Sequence, residues 1–249
     1  MYSEESSCDE EWRFVPVRGA PVVHAQVPVV ISPELVSLER VDSVISEIES
    51  VISLLDGGCL DWFWGDNTII ANRCEAWGIG SLDNSKNSIY QFALFVLILQ
   101  KNKCVKNKNN SVFYDPVINQ VDKLVIEHFG IIPNPPYDHN ACTKDTTLLY
   151  MPHCDRTLYE WIIWNRQQNI FFISNFFSIY AIQYSEWESV LPFINEKAML
   201  FSPNGRKKNR HASIIPYEAF NDLAIIHVTD PEALKTTLNS LTKWCKSLE

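Results

Sequence analysis

The sequence predicts an α/β protein, a Rossmann-like three-layer sandwich around a mostly parallel sheet. Three observations predict it. First, short β-rich runs alternate with helical ones: "CEAWGIGS", "NSIYQFALFVLILQ", "SVFYDP", "NQVDKLVIEHFG", "IIP", "TTLLYMP", "RTLYEWIIWNR", "NIFFISN". A β-α-β-α-β order implies parallel strands joined by right-handed crossovers. Second, that order calls for a sheet covered on both faces, and its strand runs are correspondingly apolar. Third, "NSIYQFALFVLILQ" is apolar on all sides, as a helix packed between layers is.

The elements follow in order. Residues 1–11 are polar and acidic and are expected to be a disordered tail, leaving residues 12–249 as one domain. Pro16, Pro21, Pro28 and Pro33 make the next stretch an extended connector. "SPELVSLERVDSVISEIESVISLLDGG" predicts a helix with Ser32 as N-cap, Pro33 in the first turn and Gly57 as C-cap. Its apolar stripe is Leu35, Leu38, Val41, Ile45, Ile48, Ile52 and Leu55. In "NQVDKLVIEHFG", Val121, Leu124, Val125, His128 and Phe129 have helical spacing and Gly130 is the stop. The polar run 101–110 is expected to be a surface linker and 202–213 a basic loop. "LAIIHV" is a late strand, and "DPEALKTTLNSLTKWC" a closing helix that buries Leu234, Leu238 and Leu241.

Bulk properties exclude several functions. Net charge is −9 and the isoelectric point about 5.2. Such a chain repels polyphosphate at long range, which disfavours general nucleic-acid binding. The seven cysteines are scattered without a CxxC. That argues against a disulfide framework or a zinc ribbon and for reduced thiols in the cytoplasm or nucleus. The acidic N-terminus has no signal-peptide character. The most apolar run, Phe92 to Leu99, is far shorter than the roughly 20 residues of a membrane span. A soluble, monomeric protein is expected.

Strand ends supply the candidate site. "GIGS", Gly78 to Ser81, follows a strand and precedes a helix, where a Rossmann-like turn approaches phosphate or ribose. The pattern is incomplete, because Asp83 stands where a third glycine would be. Asp115 ends the next strand, where ribose binders of this fold keep an acidic residue; an Asp-Pro turn with a capping carboxylate is the competing reading. His153 and Cys154 lie between a strand and a helix. A cysteine so placed beside a histidine can have a lowered pKa. Three roles compete for the pair: a nucleophile site, a metal site completed by His139 and Cys142, or a structural and ligand-lining role, which is favoured. Ser174 and Asn175 end the fifth strand on the same edge. Arg206, Lys207, Lys208 and Arg210 are a solvated loop or, more sharply, a phosphate clamp.

The order of "GIGSLDNSKNSIYQFALFVLIL", "VFYDPVINQVD", "LLYMPHCDRTLYEWIIW" and "ISNFFSIY" over residues 72–182 resembles the sensitivity-to-red-light-reduced domain family, with echoes at "EWRFVPVRG" and "AFNDLAIIHV". The resemblance implies a eukaryotic regulatory protein of cytoplasm or nucleus, tied in plant members to the circadian clock and light signalling. It brings no settled catalytic activity. The positions carried over are Gly80, Ser81, Ser85, Gln91, Asp115, Pro116, Pro152, His153, Cys154 and Asn175; Ser174 stands where the family commonly has glycine.

The ligand-crevice candidates are therefore Gly78, Gly80, Ser81, Ser85, Asp115, His153, Cys154 and Asn175, with no catalytic residue and no metal assigned. The leading expectation is regulation through a protein partner or a small-molecule ligand. The alternative is a nucleotide-cofactor enzyme, with S-adenosylmethionine the most natural cofactor and Glu75, Gly78, Gly80 and Asp115 its layout. A scaffold with an empty crevice is the third.

Overall fold

In the computed structural model, residues 37–56, 71–101, 111–136, 147–165, 170–198, 219–220 and 223–247 are described. They form α1 (Leu38–Asp56), β1 (Arg73–Trp77), α2 (Lys86–Lys101), β2 (Val112–Tyr114), α3 (Gln120–His128), β3 (Ile132–Pro133), β4 (Thr147–Met151), α4 (Arg156–Asn165), β5 (Ile170–Asn175) and α5 (Phe177–Gln183). Two 3₁₀ turns (Ser185–Ser189, Leu191–Phe193), β6 (Ile194–Ala198), β7 (Leu223–Val228) and α6 (Pro231–Ser247) complete the order.

The seven strands are arranged β3-β2-β1-β4-β5-β7-β6. β3, β2, β1, β4 and β5 run parallel, in register Trp77 to Tyr114, Ala76 to Tyr150 and Met151 to Ser174. β2, β1, β4 and β5 are thus contiguous, and their carboxyl ends share one edge. β7 pairs antiparallel with β5, and β6 antiparallel with β7. β6 has no counterpart in the sequence expectation. Its "INEKA" carries Asn, Glu and Lys, as suits an edge strand that must not recruit another chain.

Strand alternation separates two cores. Cys74, Ala76, Phe113, Leu148, Tyr150 and Ile173 pack with α1, α2 and α3 on one face. Trp77, Tyr114, Leu149, Met151 and Phe172 pack with α4, α5 and α6 on the other. This is the expected three-layer α/β arrangement. α2 is buried around its circumference, from Gln91 through Leu99.

α1 departs from its expected stripe. The buried residues are Val41, Val44, Ile48, Val51 and Leu55, while Leu38 is 72% exposed. Alternate steps of three and four from Val41 run through Val44, Ile48, Val51 and Leu55, while Ile45 and Ile52 of the expected stripe are only partly buried against the same core, so the face in contact is turned towards the valines. The helix begins at Leu38, and Ser37 caps it through bonds from Arg40 N to its Oγ (3.3 Å) and carbonyl (3.0 Å). The expected cap at Ser32 and Pro33, the stop at Gly57, the acidic tail, the proline-rich connector, the polar run after Lys101 and the basic loop 202–213 lie outside the described residues.

Candidate functional site

The β1 turn is built around two glycines with left-handed backbones, Gly78 at φ +66° and Gly80 at φ +91°. Close neighbours explain both. A Cβ on Gly78 would stand 2.7 Å from Cys154 Sγ, and one on Gly80 2.9 Å from Ser88 Oγ. The glycines admit side chains of the chain itself. Ser88 Oγ donates to Ile79 O at 2.7 Å, and Ser88 N donates to Ser85 Oγ at 3.2 Å, so Ser85 caps α2. Ser81 accepts from Asn84 Nδ2 at 3.0 Å, and buried Gln91 donates to Ala219 O at 3.2 Å.

Asp115 ties this turn to the end of β2. Its Oδ2 accepts from Gly80 N at 2.7 Å and its Oδ1 from Val117 N at 3.0 Å. The carboxylate is buried at 6% exposure. Asn134, left-handed at φ +40°, brackets the Asp115 backbone: it accepts from Asp115 N at 2.9 Å and donates to Asp115 O at 2.7 Å. Sequence reasoning missed Asn134; its "PNPP" context was a turn signal. Asp83, at the missing-glycine position, donates from its N–H to Asp122 Oδ1 at 2.8 Å, while its carboxylate accepts from Asn119 Nδ2 (3.1 Å) and Arg40 Nε (2.5 Å). Asn119 and Asp122 form a reciprocal capping box on α3.

β4 ends in a second arrangement. His153 holds a left-handed backbone, φ +58°, with its N–H donated to Asn175 Oδ1 at 3.1 Å. Cys154 turns inward, and its Sγ donates to Trp77 O at 3.3 Å. Burial, reinforced by the charges of Asp115 and then Asp155, pushes this thiol far above its ordinary value. The lowered pKa that a helix N-terminus can confer is therefore not realised: desolvation penalises the thiolate more than the helix end favours it. Tyr159 donates to Met151 O at 2.7 Å and Tyr180 to Cys154 O at 2.6 Å, fixing the loop from below. Burial pushes the Tyr180 phenol up to about 12. Neither tyrosine was singled out in the sequence, because an aromatic at helical spacing reads as core.

His153, Cys154 and Asn175 line an open depression of about 480 Å³ with Asp155, Arg156, Ile179, Tyr180, Gln183 and Tyr184. Arg156 is held by Glu186 at 2.7 Å and Glu160 at 3.4 Å, and its Cζ lies 4.2 Å from the centre of the Tyr184 ring. Gly78, Gly80, Ser81, Ser85 and Asp115 share the strand-end edge but do not line this depression. Cys154 touches both groups. Glu75 lies within β1, fully buried, accepting from Trp77 Nε1 at 2.9 Å and lying 2.7 Å from Arg73 Nε. Ser174 is buried, its Oγ donating to Asn175 O at 3.1 Å. Among the described residues no group of three or more His, Cys, Asp or Glu side chains could hold a metal ion, and no helix is long and apolar enough to cross a membrane. His139, Cys142 and the basic run Arg206 to Arg210 lie outside them.

Comparison with known proteins matches the resemblance of the motifs. A mouse (Mus musculus) SRR1-like protein is 25% identical over 95 residues, which is 37% of this chain and 37% of that protein. A crystal structure of a Thermoplasma acidophilum protein covers 75% of this chain and 94% of its own at 12% identity, but its TM-score of 0.31 carries no argument. The SRR1 domain family model matches residues 51–227, from the last turns of α1 to the end of β7. With most of its length inside that match, the chain belongs to the SRR1 domain family.

Proposed function

We propose that the chain is a regulatory protein of cytoplasm or nucleus that acts as a monomer by binding a small polar molecule or a protein partner at the β4–β5 depression. The clock and light-signalling role that the family resemblance implies for plant members is the setting in which such binding would act. One observation carries the reading: a non-glycine residue, His153, is held left-handed at the mouth of a polar depression by an asparagine from the adjacent strand. Such a backbone costs energy, and sites of this kind concentrate where a ligand is met.

The chemistry supports binding over turnover. The Cys154 thiol stays protonated at neutral pH, and a protonated buried thiol is a poor nucleophile. The two carboxylates that a nucleotide-cofactor site would use, Glu75 and Asp115, already bond to Trp77 and to the Gly80 and Val117 amides.

Thermal shift against nucleotides, S-adenosylmethionine, NAD and a panel of polar metabolites tests the proposal. A ligand at 100 times its dissociation constant should add about 2.7 kcal/mol. Asn175→Ala should abolish that shift. A shift that survives in Asn175→Ala, or methyl transfer from S-adenosylmethionine, would reject it; no shift with any compound would leave the partner as the occupant or favour a scaffold.

A further inference from the structure

Beside the depression, α5 runs into the first 3₁₀ turn and presents an apolar edge to solvent. Ile182 is 85% exposed and Tyr184 39%. Ile182 is the most exposed large hydrophobic among the described residues, and a β-branched side chain at that exposure does nothing for the core below it. The core beneath is closed by Phe177, Tyr180, Ala181 and Trp187.

The charge around this edge is mostly negative. From Gln167 to Glu196 the chain carries no lysine, arginine or histidine, while Glu186, Glu188 and Glu196 are all present. Glu196 is turned inward, accepting from Phe177 N and Ser178 N at the start of α5. Lys197 alternates to the opposite face of β6. Glu186 and Glu188 follow the exposed edge in the first 3₁₀ turn, and Asp155 borders the depression. The one guanidinium here, Arg156, is already matched by Glu186, Glu160 and the Tyr184 ring. Its own backbone first, and Arg156 after it, hold the Glu186 carboxyl below its ordinary value, so it stays charged at neutral pH. Two carboxylates share the one guanidinium and Glu188 has no cation among the described ion pairs, so the surroundings are net negative, and an apolar contact there selects a partner that brings both methyl groups and cations.

We propose that the α5 edge, Ile182 and Tyr184 followed by Glu186 and Glu188 of the 3₁₀ turn, is the docking surface for a basic, aliphatic-bearing segment of a partner protein. Ile182 supplies the apolar contact and Tyr184 the aromatic face, against which an incoming arginine can stack as Arg156 does on the other side. Glu188, exposed and without a cation partner among the described ion pairs, meets a lysine or arginine of the segment. The proposal rests on the reading of the chain as a regulatory protein that acts through a partner, and names that partner's chemistry.

Fluorescence anisotropy with a short labelled peptide alternating arginine and leucine, and its glutamate-for-arginine counterpart, tests it on the full chain. The basic peptide should bind and weaken with salt, and the acidic one should not. Ile182→Asp adds a negative charge yet should weaken the basic peptide by roughly tenfold; retained or tighter binding would show mere attraction to an acidic protein and overturn the proposal. Glu188→Lys should weaken it more than Glu47→Lys on the exposed face of α1, which changes net charge equally; equal losses would overturn it. Binding that emerges only after Arg206, Lys207, Lys208 and Arg210 are changed to glutamine would assign the surface to the chain's own basic run and also overturn it. Ile182 does not line the depression, so Ile182→Asp should keep any ligand-induced thermal shift. Loss of the peptide with the shift intact isolates this surface from the ligand reading.

Discussion

Cys154 occupies the space that a side chain on Gly78 would need. A Cβ built there falls 2.7 Å from Sγ, and the same sulfur donates to the carbonyl of Trp77, the residue before the glycine. The two strand ends, β1 and β4, are locked by a glycine and a thiol that fit only together.

Gly78→Ala should therefore destabilise the protein by about 2–4 kcal/mol, from the left-handed backbone and the forced contact. Cys154→Ala removes the sulfur and part of the clash. A double-mutant cycle in urea should show about 0.5–3 kcal/mol of favourable coupling. Strict additivity would mean that the turn adjusts without meeting the thiol.

Asp115→Ala should cost about 2–4 kcal/mol, because two backbone amides lose a charged acceptor. A ligand-facing Asp115 would leave the fold mostly intact, and a carboxylate that only capped a helix would cost about 1 kcal/mol. Asp115→Asn keeps one oxygen and should recover much of the loss. Equilibrium denaturation distinguishes the two, and an undiminished Asp115→Ala protein would contradict the paired bonds from Gly80 and Val117.

The buried thiols should resist alkylation. Burial, and after it the charge of Glu75, pushes Cys74 up to about 12, and Cys154 is pushed higher still. Iodoacetamide at about pH 8 should label neither in the native protein, since both thiols stay protonated well above their ordinary value of 9.0. Both should react in denaturant. Rapid native labelling of Cys154, read by peptide mass, would restore the nucleophile reading.

The same burial sets an alkaline limit. A raised folded pKa contributes stability that is complete below the unfolded value and is lost as pH rises towards the folded one. For Cys74 that window runs from its ordinary 9.0 to about 12, and for Tyr180 from 10.0 to about 12. Stability should fall steadily from pH 9 to 12, and Cys74→Ala should flatten the slope. A slope unchanged in Cys74→Ala would show that this thiol titrates normally in the fold.

Arg40→Ala removes an ion pair whose side chains are 50% and 19% exposed. Solvent screening limits the loss to about 1 kcal/mol. Its hydrogen-exchange signature should be local, with faster exchange at the Asp83 amide and none at Gly80, because Asp115 holds Gly80 independently. Faster exchange at both would join the two networks into one.

What the sequence determined by itself was what short-range physics encodes. Burial on both faces writes continuous apolar runs such as "TLLYM", and helical spacing writes "NSIYQFALFVLILQ", so the parallel strands and the common edge of Gly80, Asp115, His153 and Asn175 were legible, though not the strand order. Side-chain destination was not. Whether Asp115 meets a ligand or the Gly80 amide depends on where β1 and β2 stop relative to each other, and residues 80 and 115 are far apart in the chain. Whether Cys154 is activated or buried depends on the Trp77 carbonyl and on Tyr180, which arrive from other segments. The edge strand β6 escaped for a related reason: "INEKA" needs charge as much as apolar surface, so its pattern is weak, whereas the apolar "LAIIHV" of β7 was legible as a strand but not as an antiparallel one. Local periodicity fixed the elements; only the tertiary contacts, made between residues that the sequence keeps distant, decided which polar groups were used up and which were left to face a partner.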